Sequence, residues 1–190
     1  MPARSPPRTL RCRIRFLPTT PDHVVRAEQV LVERGLMIVP HGFVYDLPNG
    51  ELFRDEWVVL MDAEHPSAAT GLTADELETL PWVLVYHGSA ASTPAARQLR
   101  MLGIEPRVQV VTESFLTVPS LLMGSNRIAL VPSRMLGDHP HPRLVSHRSP
   151  IPLEPLAQAM WWHPIHDHEP EHQFLREVVS DAVGRICGSG

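Results

Sequence analysis

Apolar and polar positions along this chain switch repeatedly between a period near two and a period near 3.6. Residues 11–17 alternate, with Cys12, Ile14 and Phe16 on one side and Arg11, Arg13 and Arg15 on the other, which predicts a half-buried strand. Pro18 and Pro21 end it, and Asp22 is placed to cap a helix reaching Arg34, with Val24, Ala27 and Leu31 on its apolar side. Gly35 terminates that helix, and residues 36–39 are wholly apolar, as in a strand inside a parallel sheet. Strand, helix and strand together predict one βαβ unit.

The alternation continues downstream. Residues 52–61 predict a buried strand, Thr73 to Glu76 has capping-box spacing ahead of a short helix to Leu80, and residues 82–86 predict another strand. Residues 87–93 form a loop of small residues before Pro94, which suits the first turn of a helix ending at Leu102 and Gly103. A strand at 107–111, a helix capped by Ser114 and ending at Gly124, with Pro119 either bending its first turns or delaying its start, and a strand at 127–131 follow. Residues 137–155, rich in proline and histidine, read as an extended crossing, and Pro170 opens a last helix. The pattern predicts an α/β fold with a largely parallel sheet and two lobes around a hinged cleft. Residues 11–61 are assigned to a partial first lobe, 62–147 to the second lobe, and 148–190 to the return to the first lobe and the C-terminal helix; residues 1–10 read as a disordered leader.

Composition narrows the function classes. Of 190 residues, 43% are hydrophobic and 20% charged, which suits a globular chain, and the net charge of −4 argues against these residues gripping DNA phosphates unaided. No stretch approaches the roughly 20 apolar residues of a membrane span, and no signal peptide is evident, so a cytoplasmic location is expected. The two cysteines, Cys12 and Cys187, lack zinc-site spacing. No G-x-S-x-G, H-E-x-x-H, P-loop or G-x-G-x-x-G motif is present, so the chain reads as non-catalytic, with no cofactor.

Several segments resemble one family. Leu52-Phe53-Arg54-Asp55-Glu56-Trp57-Val58, Asp62-Ala63-Glu64-His65-Pro66, and the run from Leu72-Thr73 to Leu80-Pro81-Trp82-Val83 resemble the hinge strand and following segments of LysR-type transcriptional regulators. Residues 113–119 with 127–132 look like that family's ligand-facing helix and next strand, and Trp162-His163-Pro164 with His172-Gln173-Phe174-Leu175-Arg176 is similar to its closing motif. The run Ala91-Ser92-Thr93-Pro94-Ala95-Ala96-Arg97-Gln98 resembles most the flavonoid-sensing nodulation regulators and their aromatic-responsive relatives. The resemblance spans about residues 11–186. It implies a two-lobe, periplasmic-binding-protein type II-like effector domain that senses a small aromatic compound and forms a homo-oligomer. The family's winged helix-turn-helix and linker helix have no counterpart here, so DNA would be met only through a domain absent from this chain. Residues 11–16 already resemble the second strand, which leaves the first lobe incomplete. A solute-binding protein, and a truncated oligomerisation module acting on full-length regulators, are the alternative readings.

Candidate ligand-binding residues follow. The loop 87–93 leads into a helix N-terminus whose free N–H groups favour an anion, with Ser89, Ser92 and Thr93 adding hydroxyls, although Ser92 or Thr93 equally suits plain helix capping. Ser114 sits at a second helix start, and Phe115 offers a ring face to an aromatic ligand or a residue to the core. Tyr86 and His87 can each reach a phenolic oxygen, and alternation lets only one face the cleft. His163, His166, His168 and His172 lie within ten residues and carry zinc or nickel donors, but Pro164 and Pro170 disturb a common register, and no metal is expected.

Overall fold

The computed structural model describes residues 13–86, 93–137 and 141–187. The leader read for residues 1–10 lies outside them. Two sheets organise the chain. The first has three strands in the order β1 (Leu36–Pro40), β8 (Leu156–Trp162), β2 (Asn49–Asp55), with β8 antiparallel to both neighbours. The second has five, in the order β5 (Arg107–Thr112), β4 (Pro81–Val85), β6 (Ile128–Pro132), β3 (Trp57–Asp62), β7 (Leu144–Arg148). Among the described residues only the β4 pairings with β5 and β6 are parallel; β3 runs antiparallel to β6 and β7. The first sheet is therefore antiparallel and the second mixed, and the expectation of a largely parallel sheet is corrected: a chain that enters the second lobe on β3 and leaves it on β7 must run those two strands against each other.

The five-stranded sheet is covered on both faces, and the period-two pattern sorts its residues between them. Val59, Met61, Trp82, Leu84, Ile128 and Leu130 face a core closed by Leu77 of α3 (Ala74–Thr79) and by Ala95 and Leu99 of α4 (Pro94–Met101). Leu60, Val83, Val85, Ala129 and Val131 face the other way, against Val118 and Leu122 of α5 (Val118–Leu122). Residues buried on both sides of a sheet read as continuous apolar runs, which is why β4 and β6 stood out in the sequence. Asp62 pins the far end of β3: its buried carboxylate accepts from the Glu64 N–H at 2.8 Å and the Gly124 N–H at 2.5 Å, which holds its pKa down.

Six sequence expectations change. The described part of the 11–17 segment has no strand partner, and Phe16 is 88% exposed; alternation marks which side chains could be buried but supplies no partner for the backbone. The βαβ unit built on it falls with it. Helix 22–34 divides into α1 (Pro21–Val25), capped by Thr20 rather than Asp22, and α2 (Ala27–Arg34), with non-helical backbone at Arg26 between them. Strand β1 lies at a sheet edge with Ile38 partly exposed, not inside a parallel sheet. The 52–61 strand divides at Glu56, and Trp57–Asp62 bonds to the five-stranded sheet, not to the first lobe with which it was grouped. Residues 144–148, expected in an extended crossing, complete that sheet as β7.

The first sheet is held by α2, through Val30 and Leu31 against Met37, Val39, Ala159 and Trp161, and by the long α6 (Pro170–Cys187). A polar network anchors α6. The buried His172 bonds the Gly35 carbonyl through Nε2 at 2.9 Å, Arg176 Nη1 bonds His172 Nδ1 at 2.6 Å, and the His166 ring stacks on His172 at 4.8 Å. Arg176 is donor-only, so Nδ1 accepts and the neutral ring is the one this packing selects. Burial lowers the His172 pKa, opposed by the Gly35 bond and assisted by the charges of Arg176 and His166. The folded state therefore binds fewer protons here than the unfolded chain, and this contribution to stability is lost as pH falls below about 6.5. His166, whose pKa stands raised despite desolvation because of Glu169, works in the opposite sense. Urea unfolding across pH 5–8 is expected to show wild type losing more stability on acidification than a His172→Gln variant; parallel curves would contradict this role.

Candidate functional site

A cavity of about 550 Å³ opens between the two sheets, within the usual range of small-molecule sites. The first sheet contributes Ile38, Val39 and Pro40 of β1, Phe53 and Asp55 of β2, and Leu156 and Gln158 of β8. The second sheet and the segments attached to it contribute Trp57, Tyr86, Thr93, Phe115 and residues 132, 134 and 135. The wall is mostly apolar and aromatic. Phe115 is central to it, with its ring centroid 6.3 Å from Trp57 and 6.5 Å from Tyr86, the latter pair edge to face.

The crossing between sheets is clamped at this wall. Asp55 is 5% exposed, and its carboxylate accepts from the Ser133 hydroxyl at 2.6 Å and the Arg134 N–H at 3.1 Å, while the Ser133 N–H donates to the Glu56 carbonyl at 2.8 Å. The return crossing is tied to α4: Gln98 Oε1 accepts from the Glu154 N–H at 2.5 Å, and Gln98 Nε2 donates to the Glu154 carbonyl at 3.3 Å. A third contact spans the two lobes, with the Arg97 guanidinium of α4 5.0 Å over the Phe43 ring. Arg134 lies 5.5 Å over Phe53 on the cavity's edge and makes no ion pair among the described residues.

The sequence-derived candidates distribute unevenly. Tyr86, Thr93 and Phe115 are brought together at the cavity. Tyr86 directly follows β4 with φ of 54°, a left-handed conformation uncommon for a tyrosine. Its N–H donates to the Thr112 carbonyl at 3.0 Å, and burial, then Glu113, raises its phenol pKa. Thr93 caps α4, its hydroxyl accepting from the Ala96 N–H at 3.1 Å. Ser114 caps a 3-10 turn at Phe115–Thr117 through the Leu116 N–H and is not among the described residues lining the cavity. His87, Ser89 and Ser92 lie outside the described residues. Of the histidines considered for metal, His163 caps the turn Pro164–His166, and His166 and His172 are stacked; no group of three or more metal-ligating side chains occurs among the described residues.

Phe53, Asp55, Trp57 and Arg134 are cavity residues that the sequence reading did not single out. A signal was present: Phe53, Asp55 and Trp57 are spaced two apart, so an extended chain presents all three to one side. The apolar run from Trp57 to Met61 reads as burial in the sequence, because a cavity wall and a core wall are built from the same residue types.

This architecture defines the class, a two-lobe α/β domain of the periplasmic-binding-protein type II kind. The regulatory domain of CcmR from Synechocystis PCC6803, solved in complex with 2-PG, superposes with a TM-score of 0.70 over 84% of this chain and 78% of that one, at 14% identity. HinK, a LysR family transcriptional regulator from Pseudomonas aeruginosa, gives 0.69 over 86% and 58%, at 13% identity. At such identity the likeness concerns the fold alone. The family model of the LysR substrate binding domain matches residues 40–184, and the chain belongs to that family. Among curated relatives, nodulation protein D 3 of Rhizobium leguminosarum bv. phaseoli is 29% identical over 90% of this chain and 57% of its own length. The transcriptional activator NagR of a Ralstonia species is 25% identical over 77% and 50%. The chain thus spans about half the length of the curated relatives it matches. Among the described residues no helix is long and apolar enough to cross a membrane.

Asp55→Ala leaves the Ser133 hydroxyl and the Arg134 N–H without their acceptor. It is expected to lower unfolding free energy by about 1–3 kcal/mol in urea titration, and a change within error would show that the clamp contributes nothing.

Proposed function

We propose that this chain is the effector-sensing part of a LysR-type transcriptional regulator, and that its inducer is a small aromatic or phenolic, flavonoid-like compound held between the two lobes. The observation that carries this reading is the Trp57–Phe115–Tyr86 aromatic wall at a cavity bounded by both sheets. Flat apolar walls favour a flat apolar ligand, and a site spanning two lobes couples occupancy to their relative angle. Similarity to nodulation protein D supports the ligand class. In this reading Tyr86, Thr93 and Phe115 contact the ligand, with His87, Ser89, Ser92 and Ser114 completing the site. The domain acts in the cytoplasm as a homo-oligomer, without catalysis, and reaches DNA through a separate domain.

Calorimetric titration with flavanone and with benzoate tests this. Saturable binding of at least one compound is expected, weakened about tenfold or more by Phe115→Ala, which corresponds to ~1.4 kcal/mol. A sample that melts cooperatively yet binds neither would overturn the proposal.

A further inference from the structure

The chain has four tryptophans, and three of their indole N–H groups are satisfied within the fold. Trp82 Nε1 donates to the Leu77 carbonyl at 2.8 Å, Trp161 Nε1 to the Val39 carbonyl at 3.0 Å, and Trp162 Nε1 to Asp167 Oδ1 at 2.6 Å. Trp57 is different. It is 5% exposed, and its Nε1 is buried with no hydrogen-bond partner among the described residues. An indole nitrogen can only donate, so no change of tautomer or rotation of a hydroxyl relieves it. Buried donors are almost always paired, and an exception in a native structure points to a missing partner. The other such atom, His65 Nε2, belongs to a residue away from the cavity, whereas Trp57 is part of its wall.

From this we infer that Trp57 is a specificity-determining residue: its indole N–H donates to an acceptor oxygen on the bound aromatic ligand. The inference rests on the cleft reading above and sharpens it. The ligand is not merely flat and apolar; it carries a carbonyl or comparable acceptor on or beside the ring that packs against Trp57 and Phe115. A purely apolar ring of the same shape would leave the donor buried and unpaired. An acceptor-bearing ring pairs it. Selectivity of this kind is steep because a polar site penalises the analogue that lacks the partner group.

Flavanone and flavan differ at this feature, the first having a ring carbonyl where the second has a methylene. Titrations of both into wild type and into Trp57→Phe, which keeps an aromatic ring and removes the donor, test the inference. Wild type is expected to bind flavanone about tenfold more tightly than flavan, and the variant to bind the two alike. On wild type alone, the Trp57 indole N–H resonance in a ¹⁵N-correlated NMR spectrum should move on adding flavanone and stay nearly still on adding flavan, a readout that holds even if the variant does not fold. Equal affinities for both ligands together with an unmoved resonance would overturn the role of Trp57 while leaving an aromatic cleft in place. Failure of folded wild type to bind either ligand would overturn the cleft reading and this inference together.

Discussion

Where the chain crosses from one sheet to the other, a single buried carboxylate decides the geometry. Asp55 closes β2 and receives the Ser133 hydroxyl and the Arg134 N–H from the segment that follows β6. A buried carboxylate without donors would be expensive, so its bonds constrain both segments at once. Phe53 and Trp57, two residues to either side of Asp55, are thereby set on the cavity wall, and Arg134 is placed over Phe53. Three cores, one under α2 and one on each face of the five-stranded sheet, stabilise the lobes. The clamp determines what lies between them.

Two further contacts between lobes are of a weaker kind. Gln98 meets the backbone of Glu154 in the return crossing, and Arg97 lies over Phe43. A half-buried cation–π contact contributes about 0.5–2 kcal/mol, an amount that a ligand in the cleft can readily offset or reinforce. A rigid crossing beside weak contacts is a physical basis for a hinge.

Much of the fold was legible because its signals are local. Thr73 and Glu76 announce their capping box, Pro94 its helix start, Pro119 the delay before Val118, and the apolar runs of β4 and β6 their burial on two sides. What was not legible depends on partners distant in the chain. Residues 13–17 alternate like a strand but find no neighbour, and Trp57 changes sheets because its backbone bonds go to residues more than seventy positions away, such as the Pro132 end of β6. At the site, Tyr86, Thr93 and Phe115 were readable from residue type and position, whereas Asp55 and Trp57 gain meaning only from Ser133 and from an indole nitrogen without a partner.

The central claim is that an aromatic ligand is held at the junction of the sheets. Hydrogen–deuterium exchange of the domain with and without saturating flavanone tests it most directly, because it locates the ligand without relying on any substitution. The account predicts protection concentrated in residues 55–58, 115–118 and 133–136, with little change in α6. Protection confined to α6 or to the outer strand β5, with the junction unchanged, would contradict it.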